Sequence, residues 1–260
     1  MIVREREHSF ILIEQHKHAL ISGEFSKVWK IDYFFQEDRR EDVNVAIAQH
    51  DISWVPLDDF PIYLSDEKKP ASFTEYPLTE KIKAYKRGVD HIQDINSYAA
   101  YLISMHYTSF FEGKKDLRGV EFKKLEMKRQ KKLKKQLQDI NDQTVKYHFD
   151  LLQFCDDLSL YLCMNEWGIT KEKELSWFKD GFRQRFLPLN HKKIYAKWCG
   201  EHEVELEPFP FHGDELEIVV PYKELPKNRV IEDLREVYHN EETKYHKVVV
   251  RSKSNERLSI

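Results

Sequence analysis

The chain has 260 residues, 41% hydrophobic and 33% charged, and its 42 Lys and Arg nearly balance 45 Asp and Glu for a net charge of -3. That length can bury a full core, and that balance supplies no whole-molecule field to attract nucleic acid or a membrane surface. Eight glycines set against abundant Lys, Glu and Leu argue for a mainly helical protein. They also argue against a glycine-rich nucleotide loop, and neither Gly-x-Gly-x-x-Gly nor a Walker-type lysine loop is present. Cys155, Cys163 and Cys199 show neither zinc spacing nor a disulfide framework, which fits a reducing compartment. The charged residues 4–7 rule out a signal peptide, and no run approaches the ~18 apolar residues of a membrane helix. The expectation is a cytoplasmic protein without a membrane partner.

In chain order, the apolar runs at residues 1–4 and 10–13 read as a small hairpin. A helix over about 14–29 carries Gln15, His18, Ser22, Phe25 and Trp29 on one stripe, widened by Leu20, Ile21 and Val28; His16 points roughly the other way. Residues 31–42 read as a loop. A helix over 43–54, ended by Pro56, places Val43, Ile47, His50, Asp51 and Trp54 at i, i+4, i+7, i+8 and i+11, on one otherwise apolar face. Residues 55–77 carry Pro, Asp, Ser and scattered aromatics without periodicity, as a lid or binding loop does. Helices over 78–92 and 95–112 follow, the second with Ala99, Leu102, Ile103, His106 and Phe110 on one face.

Residues 114–142 read as a charged helix. Eight of the thirteen positions from Lys123 to Lys135 are Lys or Arg, docked by a seam of Leu125, Leu133, Leu137 and Ile140. The run reads as a solvated surface, and its lack of interleaved aromatics counts against a single-strand nucleic-acid partner. A further helix over 143–165 aligns Phe149, Leu152, Asp156, Ser159, Leu160 and Cys163. Beyond Trp167 the character changes to strands at 194–199, 204–206 and 216–220, a short helix over 230–239 and a last strand at 247–251. The expected fold is therefore mainly α, a helical bundle over residues 1–165 with a small α+β appendage over 166–260 packed on it.

Four helices thus turn a polar side chain toward a common apolar interior: His18, the adjacent pair His50-Asp51, His106 and Asp156. A buried carboxylate is costly without positive compensation, and this set of imidazoles and carboxylates suits a divalent transition metal, namely Mn, Fe, Zn, Co or Ni. Such an ion lowers the pKa of bound water and yields a nucleophile near neutral pH. Asp157 and His16 remain alternatives to Asp156 and His18, and His91 and His148 are further histidines within reach of the same role.

The order His18, His50-Asp51, distant Asp156, all on helices, resembles the HD superfamily of metal-dependent phosphohydrolases. Residues 15–24, 48–54, 102–106, 155–163 and 207–211 together look like an uncharacterised bacterial family, a domain of unknown function, over most of the chain. The resemblance implies an HD-like fold and metal held by His18, His50, Asp51 and Asp156, with His106 on a second ion or on the leaving phosphate. The expected activity is hydrolysis of a phosphorylated small molecule or nucleotide, with Asp51 and His106 as the catalytic residues and a homo-oligomer left open. An HD-type di-iron oxygenase would use the same ligands. A non-catalytic ligand-binding or interaction protein with a degenerate HD-like core would keep them as a hydrogen-bonded polar network.

Overall fold

The computed structural model describes residues 1–137 and 140–253. Strands β1 (Ile2–Glu5) and β2 (Ser9–Ile13) form the N-terminal hairpin and lead into α1 (Gln15–Lys27). Next come α2 (Arg40–Gln49) and α3 (Val55–Asp58), a two-residue pair β3 (Tyr63–Leu64) and β4 (Lys69–Pro70), and then α4 (Leu78–Ile95) and α5 (Ser97–Ser109). Helices α6 (Leu117–Gln136) and α7 (Asp142–Met164) precede β5 (Tyr195–Trp198), β6 (Glu203–Glu207), β7 (Glu215–Pro226), α8 (Lys227–Asn240) and β8 (Lys244–Ser252). The sequence-predicted helix over 114–142 spans residues 138 and 139, which lie outside the described residues.

This is an α+β fold, which corrects the mainly α bundle with a small appendage expected from the sequence. One six-stranded sheet runs in the order β1-β2-β7-β8-β6-β5. The N-terminal hairpin is part of it, because β2 pairs antiparallel with β7 through Phe10↔Leu225 and Leu12↔Lys223. The 12-residue β7 is the element that the sequence under-reads. Its first half alternates, with Ile218 and Val220 buried, and Pro221 then looks like a strand end. Pro221 in fact stays within the strand, opposite Tyr245 of β8, and β2 joins β7 beyond it. All pairings are antiparallel except that of β6 with β8.

Helices α1 and α7 pack together, and α2 and α5 pack on them. One contiguous apolar core runs from Ile2 through Phe25, Leu102 and Leu158 to Val248 and Val250, and so joins the helices to the sheet. Helix α6 docks through Phe122, Glu126 and Leu133, whereas Leu125, expected in its seam, is exposed. Leu20 likewise sits at the exposed margin of α1. Residues 55–77 contain α3 and the β3–β4 pair rather than an unstructured loop. Among the described residues no helix is long and apolar enough to cross a membrane.

Candidate metal centre

The chain through the His-Asp pair is not one helix. Helix α2 stops at Gln49, His50 is its C-cap, and Asp51 (φ -114, ψ 23) leads into a 3-10 turn over Ile52–Trp54. The His50 ring contributes to the break: Nδ1 lies 2.7 Å from the carbonyl of Ile47, the acceptor a continued helix would offer Asp51. Side chains that bond to nearby carbonyls compete with the helix in this way. Pro56 does not end a helix; it lies in the first turn of α3, where no N–H is needed. Val43, Ile47, His50, Asp51 and Trp54 are nonetheless all buried.

His18 from α1, His50 and Asp51 after α2, His106 from α5 and Asp156 from α7 meet in one cluster. His18 Nε2 lies 3.2 Å from Asp51 Oδ2 and 3.9 Å from Asp156 Oδ1. His50 Nε2 is 3.4 Å from Asp156 Oδ1 and 4.0 Å from Asp51 Oδ2, and His106 Nε2 is 3.7 Å from Asp156 Oδ2. Two donor atoms each about 2.1 Å from one ion lie at most about 4.2 Å apart, so all five separations are compatible with a shared ion. His18, His50 and Asp156 form one group of potential ligands, and His50, Asp51 and His106 form another.

Hydrogen bonding fixes the rings so that bare nitrogens face carboxylates. Ser159 Oγ donates to the carbonyl of His18 at 2.7 Å, so at 3.3 Å from His18 Nδ1 it can only accept. That leaves the proton on Nδ1 and a lone pair on Nε2. His50 is held likewise: Nδ1–H donates to Ile47, and Nε2 is buried with no hydrogen-bond partner. Lone pairs on two imidazoles therefore point at carboxylate oxygens 3.2 and 3.4 Å away. Such an arrangement is repulsive unless a cation, either a proton or a metal ion, lies between.

A proton can fill that place on His50. Burial disfavours charge on His50, but the Asp156 carboxylate beside it outweighs burial and raises its pKa to about 9. Burial would push Asp156 and Asp51 up, yet His50 holds Asp156 well below the usual carboxylate range, and His18 and His50 lower Asp51. Burial pushes His106 down to about 4, against the pull of Asp156. A protonated His50 thus sets one positive charge against two ionised carboxylates in the buried cluster. A divalent ion balances both, and three nitrogens with two carboxylates fit the borderline transition metals.

The other sequence candidates are elsewhere. His148 uses both ring nitrogens, Nδ1 with Tyr98 Oη and Nε2 with the Phe35 carbonyl, each at 2.7 Å. His91 is exposed, and His16 lies outside both ligand groups. Asp157 turns to Gln184 and Arg183 at 2.9 and 3.3 Å.

The cluster borders a cavity of about 810 Å³. Its walls include Trp54, Tyr85, Phe110 and Trp177, and Lys81, Lys114, Lys115 and Arg183 also line it. Two contributors went unassigned in the sequence. Gln15, on the α1 stripe with His18, donates from Nε2 to Asp51 Oδ2 at 3.3 Å, and its buried Oε1 has no partner. Arg183 lies in the segment between α7 and β5, where no periodicity marks it.

Neither comparison with curated proteins nor comparison with solved structures gives a match. The family described as "Protein of unknown function (DUF3891)" matches residues 1–227, a span that holds every residue of the cluster. The chain belongs to the DUF3891 family.

Proposed function

We propose that the protein is a metal-dependent hydrolase acting on a phosphorylated small molecule or nucleotide. The observation that carries this reading is the pair of imidazole Nε2 atoms, on His18 and His50, facing buried carboxylates across gaps that a proton or a metal ion must fill, beside a cavity of about 810 Å³. The order of His18, His50-Asp51 and Asp156 along the chain, which resembles that of the HD superfamily, supports it as well. His18, His50, Asp51 and Asp156 would hold the ion, with His106 beside them. A divalent ion bound there supplies a Lewis acid and lowers the pKa of coordinated water toward neutrality.

The chain's own residues do the rest. Ser159 and the Ile47 carbonyl hold the two rings in the ligating tautomer. Gln15 fixes Asp51 through Oδ2, which leaves Oδ1 to take a proton from an attacking water. His106, kept neutral by burial, can donate a hydrogen bond to a phosphoryl oxygen. The aromatic walls offer an apolar surface to the body of a substrate.

The test is phosphate release from a panel of phosphomonoesters and nucleotides with Mn²⁺, Fe²⁺, Zn²⁺, Co²⁺ or Ni²⁺ added. Turnover that falls at least about a hundredfold in a folded Asp51→Asn variant is expected. Metal-bound protein that releases no phosphate from any member would contradict the hydrolase. Oxygen consumption by iron-loaded protein would transfer the site to an oxygenase.

A further inference from the structure

The consecutive carboxylates of α7 have different partners. Asp156 joins the cluster, whereas Asp157 Oδ2 accepts Gln184 Nε2 at 2.9 Å and lies 3.3 Å from Arg183 Nε. Gln184 is itself buried, so the carboxylate that meets Arg183 is fixed on both sides. The Arg183 side chain is 63% exposed and lies on the cavity lining. Held at Nε, it has no partner at Nη1 or Nη2 among the described residues. A guanidinium engaged at one edge keeps parallel donors free, and these match the spacing of phosphoryl oxygens.

A second segment, between α5 and α6, adds Lys114 and Lys115 to the lining, and neither has a carboxylate partner among the described residues. Two lysines without a carboxylate partner, together with the free edge of Arg183, favour a multiply charged anion over a single carboxylate. The rest of the wall is aromatic, with Trp54, Tyr85, Phe110 and Trp177.

We propose that Arg183, oriented by Asp157, binds the phosphoryl group of a phosphate monoester whose apolar or aromatic body lies against the rings of the cavity. The proposal rests on the hydrolase reading for the choice of ester over free phosphate, but the binding role of Arg183 stands or falls separately. Asp157 then acts as a positioning residue.

Isothermal titration of Mn²⁺-supplemented protein with inorganic phosphate and with phenyl phosphate tests it, with folding checked by circular dichroism. Arg183→Ala should raise the Kd for both ligands roughly tenfold to a hundredfold, as loss of a charged hydrogen-bonding partner does. Metal content should stay at the wild-type level. Arg183→Lys should recover only part of the loss, because an ammonium cannot form the fork, and Asp157→Asn should weaken phosphate binding less than Arg183→Ala does. Phenyl phosphate should bind more tightly than phosphate, with the advantage reduced in Trp177→Ala.

Wild-type affinity in Arg183→Ala, no phosphate binding by the wild type, or no preference for the phenyl ester would each overturn the proposal. Phosphate release from phenyl phosphate is scored separately. Binding that depends on Arg183 without release would leave the anchor standing and remove the hydrolase.

Discussion

Both ring nitrogens of His18 are committed, Nδ1 to Ser159 and Nε2 to the carboxylate side of the cluster. Ser159 therefore sets the tautomer of a residue 141 positions away in sequence. Ser159→Ala removes that acceptor and should weaken divalent-metal affinity by about tenfold to a hundredfold while the fold survives. Competition with a metallochromic chelator measures this, and unchanged affinity would show that Ser159 does not orient the ring. Helical spacing in the sequence already set His18 on an apolar stripe and Asp156 between Leu152 and Leu160. The tautomers were not legible: that of His18 depends on a hydroxyl from α7, a purely tertiary approach, and that of His50 on a carbonyl three residues back that only the unforeseen end of α2 frees. Arg183 was hidden for a related reason, since its partner Asp157 lies on another element and its own segment has no repeat.

Two elements that carry ligands approach very closely. A Cβ at Gly23 of α1 would lie 2.7 Å from Ala48 Cβ and 3.2 Å from Ala48 Cα on α2. Gly23→Ala must push α1 from α2, and hence His18 from His50. It should cost about 1–3 kcal/mol in urea unfolding and lower metal affinity as well. Wild-type stability in that variant would mean that the helices yield freely.

The segment over residues 55–77 is held differently, by Lys69 and Ser72 on Glu75. Burial opposes charge on Glu75, but the Lys69 hydrogen bond at 2.5 Å, with help from Ser72, lowers its pKa to about 2. The contribution of this pair is full above the ordinary carboxylate pKa and is lost as pH falls through that value toward about 2. Partial exposure of both side chains limits it to roughly 0.5–1 kcal/mol. The wild-type advantage over Glu75→Gln should therefore be present at pH 7 and shrink between about pH 5 and 2, read by thermal melts at each pH. An advantage independent of pH would rule out the carboxylate as its source. At this scale the sequence showed the helices but not their ends: the apolar face ran through residue 54, while the His50 ring helps to end the helix at Gln49.

At the scale of the whole molecule, the sheet joins the two ends of the chain. Pairing of β2 with β7 is a contact more than two hundred residues apart, and local patterning carries no trace of it. The second half of β7, with Lys223 and Glu224 pairing with β2, lacks the alternation that would have announced a strand. The main apolar core runs from Ile2 to Val250, and a smaller one under α8 draws on the same strands β2 and β7, so unfolding should be a single transition, with tryptophan fluorescence and far-ultraviolet dichroism coincident. Two separated transitions would favour independent units divided near residue 165.

The proposed hydrolase requires a divalent ion, rather than a proton alone, between the imidazoles and the buried carboxylates. Elemental mass spectrometry of purified wild type and of folded His50→Ala and Asp51→Ala variants tests it most directly. Near-stoichiometric Mn, Fe, Zn, Co or Ni in the wild type, lost from both variants, is the predicted result. A wild type that takes up none of these metals even when each is supplied would contradict it, leaving an imidazolium–carboxylate network at the cluster.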